Sequence, residues 1–259
     1  MATESLQMVR LTLDPARLAR LGKAVGLPPQ EEDLGYRVHM ALAGLFGPGK
    51  IQPFRVLDGP GRGVDVLGYT SYESKEAIND DASSFADPGL YDACDWQRLG
   101  VKPMPSSWQE GRVVGFEVRI CPIVRPSKDI DRTPPTNENA ANLITLKKGA
   151  EVDAWVHHNC TVHGNDPLNR EAVYRNWLSQ RTSHALELRS MSLHAFRRIR
   201  LVRRSQGAKR TSKILERPDA LVRGELEIRD ADAFQKLLAN GVGRHRAFGF
   251  GMMLLRRPG

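Results

Sequence analysis

The stretch GELEIRDADAFQKLLANGVGRHRAFGFGMMLL, residues 224–255, decides the fold. Its opening belongs to ALVRGELEI (220–228), which alternates apolar and polar residues as a strand does. Asp230 is a helix-starting residue, and DADAFQKLLANG runs from it to a stop at Gly241. A glycine-rich turn follows, and Phe248 to Leu255 reads as a final apolar strand. The order is strand, helix, turn, strand. Gly241, Gly243, Gly249 and Gly251 bracket two arginines and two phenylalanines, so bare amides and guanidinium groups can approach phosphates closely. A dinucleotide fingerprint follows a strand and opens a helix; this loop follows a helix and enters a strand, which excludes that reading.

Working outward, the same alternation of strands and helices recurs. MVRLTL (8–13) reads as a first strand, and Asp14 with Pro15 starts a helix over 16–25. After a turn at Gly26 to Pro29, residues 31–46 place Leu34, Val38, Leu42 and Leu45 at helical spacing, and Gly47 and Pro48 stop them. Phe54–Leu57 and Val64–Tyr69 read as strands around the turn DGPGRG. Residues 71–110 show no clear period and read as an irregular insertion. Val113–Val124 reads as the strand that closes a first unit. The Pro- and Asn-rich segment from Arg125 to Asn142 reads as a linker. Beyond it, LNREAVYRNWLSQR (168–181) predicts a helix with Val173, Trp177 and Leu178 inward, whereas Leu186–Val202 is open between strand and helix. The expectation is an α+β chain of two tandem ferredoxin-like domains. They are an N-terminal domain over 1–125, a linker over 126–142 and a C-terminal domain over 143–259. The second carries a basic segment (197–213), helical or extended, and the glycine-rich loop (241–251).

The chain has 259 residues and a net charge of +8, and the excess is local. Arg197 to Lys213 holds eight Lys or Arg residues and no acid, and the residues from Gly241 onward hold Arg244, Arg246, Arg256 and Arg257 with none. Clusters of this kind suit a polyanion, because neutralised phosphates release condensed counterions. No run approaches the ~20 apolar residues of a membrane span, and the N-terminus lacks a secretory layout, so a cytoplasmic protein is expected. Cys94, Cys121 and Cys160, odd and sparse, do not suggest a disulfide framework.

The glycine-rich loop and the helix before it resemble the C-terminal signature of the RAMP superfamily, specifically the CasE-like CRISPR RNA endoribonucleases. The LTLDP opening resembles that family's first strand, Tyr36 and His39 in GYRVHMAL match its tyrosine and histidine, and the arginine-rich stretch has its counterpart there. A crRNA-processing protein of type IV systems fits the same residues. The resemblance implies RAMP/RRM-like domains and metal-independent cleavage of precursor CRISPR RNA at the base of the repeat hairpin. The RNA's own 2′-hydroxyl would attack, leaving a cyclic 2′,3′-phosphate. It further implies that the protein stays bound to the crRNA and joins other subunits of a CRISPR effector complex. No cofactor or metal is expected.

In that reaction His39 is the candidate acid or base, since imidazole titrates near neutral pH. Tyr36, three residues earlier, shares its helical face and can orient the phosphate. Arg37 and Arg244 are candidate charge stabilisers. Arg197, Arg198, Arg200, Arg203, Arg204, Lys209 and Arg210 are expected to grip the stem, and Arg244, His245 and Arg246 to hold phosphates in the loop. His157, His158, Cys160 and His163 match no structural zinc spacing and read as a polar loop. Two other readings stand: a non-catalytic RNA-binding subunit, which would bind hairpins without cutting, and a general basic DNA-binding protein, which would not prefer RNA.

Overall fold

The computed structural model describes residues 5–24, 34–57, 63–132, 144–162, 169–204 and 212–259. The expected turns at 26–29 and 58–62 lie outside these residues, as do the middle of the expected linker, His163, Lys209 and Arg210.

β1 (Gln7–Leu13) ends at Asp14, whose Oδ1 accepts the amides of Ala16 at 2.7 Å and Arg17 at 3.2 Å. Two otherwise orphaned donors are thereby satisfied, and α1 (Pro15–Ala24) begins with proline in its first turn, where no N–H is missed. α2 (Leu34–Phe46) buries Val38, Leu42 and Leu45 of the predicted stripe together with Ala41 and Phe46, while Leu34 at its first position is only half-buried. β2 (Phe54–Val56) and β3 (Val64–Thr70) follow.

Residues 71–110 are more regular than their sequence suggests. Ser74 caps α3 (Lys75–Phe85), accepting the Ala77 amide at 3.1 Å. Only Ile78 and Ala82 of that helix are buried, so its apolar period is too thin to read among its acids and serines. α4 (Pro88–Tyr91), a 3-10 turn at Trp96–Arg98 and β4 (Gly100–Pro103) complete the unit. The sheet runs β2-β3-β1-β4, antiparallel throughout, and its helices cover one face.

β5 (Val113–Ile120) does not close this unit. It pairs with β11 (Ser212–Ile228) and β12 (Met253–Arg256) in a second sheet of order β10-β11-β5-β12, where β10 is Leu186–Arg204. The second unit therefore repeats the first: opening strand central, second and third strands as a hairpin, last strand at the far edge. Both are ferredoxin-like. A strand buried on both sides carries no label saying which sheet owns it, which is why β5 misled the division at 125. We place that division ahead of β5, within 104–112. The Pro-rich segment then lies inside the second unit, flanked by short pairs: β6 (Ile123–Val124) with β9 (Val152–Asp153), and β7 (Ile130–Arg132) with β8 (Ile144–Leu146).

α5 (Ala154–Thr161) and α6 (Arg170–Thr182) lead to β10, which settles Leu186–Val202 as strand. α6 buries Val173, Trp177 and Leu178 as expected. Asp230 caps α7 (Ala231–Asn240) through its side chain. The final strand is shorter than predicted. Arg246–Phe248 forms a 3-10 turn, and Gly249 and Gly251 sit at φ 82° and 83°, outside strand geometry.

The units are joined by a buried carboxylate. Glu117 of β5, 3% exposed, pairs with Arg55 of β2 at 2.5 Å, with Arg223 of β11 at 2.5 Å and with Arg256 of β12. Beside this, the Tyr69 hydroxyl donates to the Met253 carbonyl at 2.8 Å. Removing one partner of a buried ion pair strands the others, at about 3–5 kcal/mol. Glu117→Ala is expected to lower the urea unfolding free energy by about that amount. A loss below about 1 kcal/mol, the range of an exposed pair, would show that the cluster does not hold the units together.

Candidate active site and nucleic-acid interface

The N-terminal turns of α2 lie against the glycine-rich loop of the other unit. A Cβ on Gly35 would stand 2.3 Å from the Phe248 carbonyl oxygen, so only glycine admits this approach. One residue on, the Tyr36 ring stacks on Phe248 with centroids 5.5 Å apart and planes at 24°. His39 follows on the same face, its ring centroid 6.1 Å from that of Tyr36. Burial disfavours the imidazolium and lowers the His39 pKa from its ordinary 6.5, so the ring is neutral at pH 7. Arg37 turns elsewhere: its Nε lies 3.1 Å from where a Cβ on Gly22 of α1 would be.

The loop is held by its own backbone and by one acid. Val242 donates to the Gly251 carbonyl at 2.9 Å and Gly251 to that of Arg119 at 2.8 Å. His245 adopts φ 63°, the left-handed region rare for a residue with a Cβ. Its Nε2 lies 3.0 Å from Glu151 Oε2, and its ring meets Phe248 edge-on at 5.8 Å. Glu151, 8% exposed, also pairs with Arg217 at 2.8 Å, Arg125 at 2.9 Å and Arg244 at 3.8 Å. Desolvation would raise this carboxyl, but the bond from Arg125 and the charges of His245 and Arg217 prevail, and its pKa falls from 4.5 to about 2.

Beside the loop lies a cleft of about 400 Å³ whose walls include Leu201 and Leu215, a cross-strand pair near the turn end of the β10–β11 hairpin, and residues 243–248. The basic hairpin and the glycine-rich loop thus share one hollow. Along β10 the side chains alternate. Leu201 is buried in a cluster with Phe250 and Cys121, whereas Arg198 and Arg200 are exposed on the opposite strand face. Arg197 donates to the buried Asp219 at 2.7 Å, and Arg200 stands 3.7 Å from Glu216. Arg203 and Arg204 extend the strand backbone beyond them. Arg246 donates to the Asn240 carbonyl.

A family model described as CRISPR associated protein matches residues 6–257, nearly the whole chain. The chain belongs to this family. No curated protein matches it. Among solved structures, the CRISPR endoribonuclease Cse3 bound to a 19-nucleotide RNA is 20% identical with TM-score 0.60, covering 97% of this chain and 99% of its own. Cas6e from Escherichia coli str. K-12 is 18% identical with TM-score 0.57, covering 97% and 99%. A chain of a CRISPR RNA-guided surveillance complex is 14% identical with TM-score 0.54, also covering 97% and 99%. At these identities the likeness is one of fold, and the shared fold is two tandem ferredoxin-like units.

In this CRISPR associated protein, the sequence-predicted residues fall into three groups. Tyr36 and His245 meet at Phe248, His39 lies beside Tyr36, and Arg244, His245 and Arg246 line the cleft. Arg197, Arg198 and Arg200 lie along β10. Arg37 stands apart, packed on α1. His157, His158 and Cys160 sit on α5 rather than in a loop, and Cys160 is buried. Glu151, Arg125, Phe248 and Gln52 were not predicted as site residues. A lone acid in a basic chain shows its partners only after folding, and Gln52 precedes a three-residue strand with no motif around it.

Glu151 gives a pH signature. Its folded pKa is depressed, so its contribution to stability is complete above 4.5 and is lost as pH falls toward 2. Discounted for solvent screening at the open side of the cleft, that contribution is on the order of 1–3 kcal/mol, much of which disappears by about pH 3. Urea titrations of the Glu151→Gln variant between pH 5 and pH 3 are expected to give a shallower decline than the parent chain. Parallel declines would remove Glu151 as the loop's anchor.

Proposed function

We propose that this protein is an endoribonuclease that cleaves precursor CRISPR RNA at the base of the repeat hairpin and keeps the product bound. The observation that carries this reading is the meeting of Tyr36 and His39 from one unit with the glycine-rich loop of the other, beside a basic hairpin. Membership of the CRISPR associated family, and the likeness of fold to the endoribonuclease Cse3 in its RNA-bound form, support it.

The chemistry follows from the groups at hand. A neutral His39 accepts the proton of the 2′-hydroxyl, and the oxygen attacks the adjacent phosphorus. The bond to the 5′-oxygen breaks as that oxygen takes a proton from water, and the His39 imidazolium returns its proton to solvent, leaving a cyclic 2′,3′-phosphate and a 5′-hydroxyl. Tyr36, on the same helical face, offers a hydroxyl to orient the phosphate, and Arg244 supplies positive charge against the crowded phosphorane. The exposed Arg198 and Arg200, with Arg203 and Arg204 further along β10, contact stem phosphates. Double-stranded RNA presents little base identity in its deep groove, so these contacts read shape. The product-bound protein then serves as a subunit of a larger CRISPR ribonucleoprotein, as the fold-related chain does in the surveillance complex.

Single-turnover cleavage of a repeat hairpin is expected to survive EDTA and to vanish with a 2′-deoxy nucleotide at the cut. The rate should rise with pH to a plateau whose inflection lies below 6.5, because base catalysis needs unprotonated His39. His39→Ala should lower it by about 10²–10⁴-fold with hairpin affinity unchanged. Tight hairpin binding with no product after long incubation would leave the non-catalytic subunit as the reading.

A further inference from the structure

The cleft beside the glycine-rich loop has two unlike walls. Leu201, Leu215 and Phe248 present apolar surface, while Arg125 and Arg244, with side chains 45% and 57% exposed, present cations. Gln52, from the strand entry of the first unit, adds an amide that both donates and accepts. Glu151 sits among them with its charge offset by its basic partners, so it does not repel an anion entering from outside. Each guanidinium carries five N–H donors, more than its bond to Glu151 uses.

A volume of about 400 Å³ falls in the range of small-ligand sites and is far too small for a duplex. An aliphatic and aromatic wall facing a pair of arginines fits a planar base attached to a phosphate. Phe248 belongs both to this cleft and to the stack with Tyr36, so whatever fills the cleft lies next to the candidate catalytic pair.

We propose that the cleft holds one unpaired nucleotide of the RNA adjoining the scissile phosphate, its base against Leu215 and Phe248 and its phosphate on Arg125 and Arg244, with Gln52 reading the base edge. This assignment rests on the RNA-processing reading and adds where sequence is read. Unpaired bases, unlike those in an RNA stem, expose edges that side chains can discriminate.

The test uses the full chain and the hairpin RNA that co-purifies with it, resynthesised with 2′-deoxy at the cut and with an abasic site at each flanking unpaired position in turn. Affinity is read by fluorescence anisotropy. One abasic position is expected to weaken binding by about ten-fold, the scale of one lost base stack. That sensitivity should disappear in Leu215→Trp, which fills the cleft. Gln52→Ala, which leaves the walls intact, should bind all four bases at that position equally. Equal affinity for every abasic RNA, or a sensitivity that persists in Leu215→Trp, overturns the assignment while leaving the RNA-processing reading standing. Absence of any hairpin RNA binding overturns both.

Discussion

The site depends on a close approach between two backbones. The N-terminal turn of α2 reaches the carbonyl of Phe248 only because residue 35 has no side chain, and from that contact follow the Tyr36 stack and the placement of His39. Neither unit contains the arrangement alone. Each is an ordinary four-stranded antiparallel sheet with helices on one face. The chemistry arises where the helix of the first meets the loop of the second, so the relative placement of the two units is the quantity the fold must control.

That control is electrostatic as much as apolar. Three acids with largely covered side chains organise the surrounding cations: Glu117 gathers Arg55, Arg223 and Arg256 across the units; Asp219 holds Arg119 and Arg197; Glu151 holds the loop through His245 and Arg244. Each carboxylate loses hydration on burial and keeps its charge because several guanidinium groups compensate. The same contacts remove arginines from the pool available to a polyanion. Around the hairpin and the cleft, the described arginines still open to solvent include Arg197, Arg198 and Arg200 along β10 and, in part, Arg125 and Arg244, whose acid partners fix where their charge is presented.

Much of the fold was legible because period and punctuation agree: the α2 stripe, the Asp230 cap, the strand after Ala220 and the inward face of α6 all fall where their sequence puts them. The failures share a cause. α3 buries two residues and announces nothing; β5 is apolar enough to belong to either sheet; the last strand is cut short by glycines whose backbone angles cannot be known beforehand. At the site, Tyr36 and His39 were visible through the family resemblance of GYRVHMAL and the loop by its glycines. Their meeting was not, because it depends on Gly35 and Phe248, more than two hundred positions apart. Arg37, adjacent to Tyr36 in sequence, points to α1 instead. The basic run likewise reads as one patch in a line of text, yet on the strand Arg197 shares the face of the buried Leu201 and binds Asp219, while Arg198 and Arg200 point from the other face.

The direct test of this joint site is the Gly35→Ala variant, assayed by single-turnover cleavage of the repeat hairpin alongside thermal unfolding. Alanine favours a helix over glycine by about 1 kcal/mol, so any defect cannot come from weakening α2 itself. The account predicts a cooperative melt, retained hairpin binding and a cleavage rate reduced by at least about ten-fold, as expected when reacting groups are displaced by about an ångström. An unchanged rate would contradict it, because the helix and the loop would then not need to touch for the reaction to proceed.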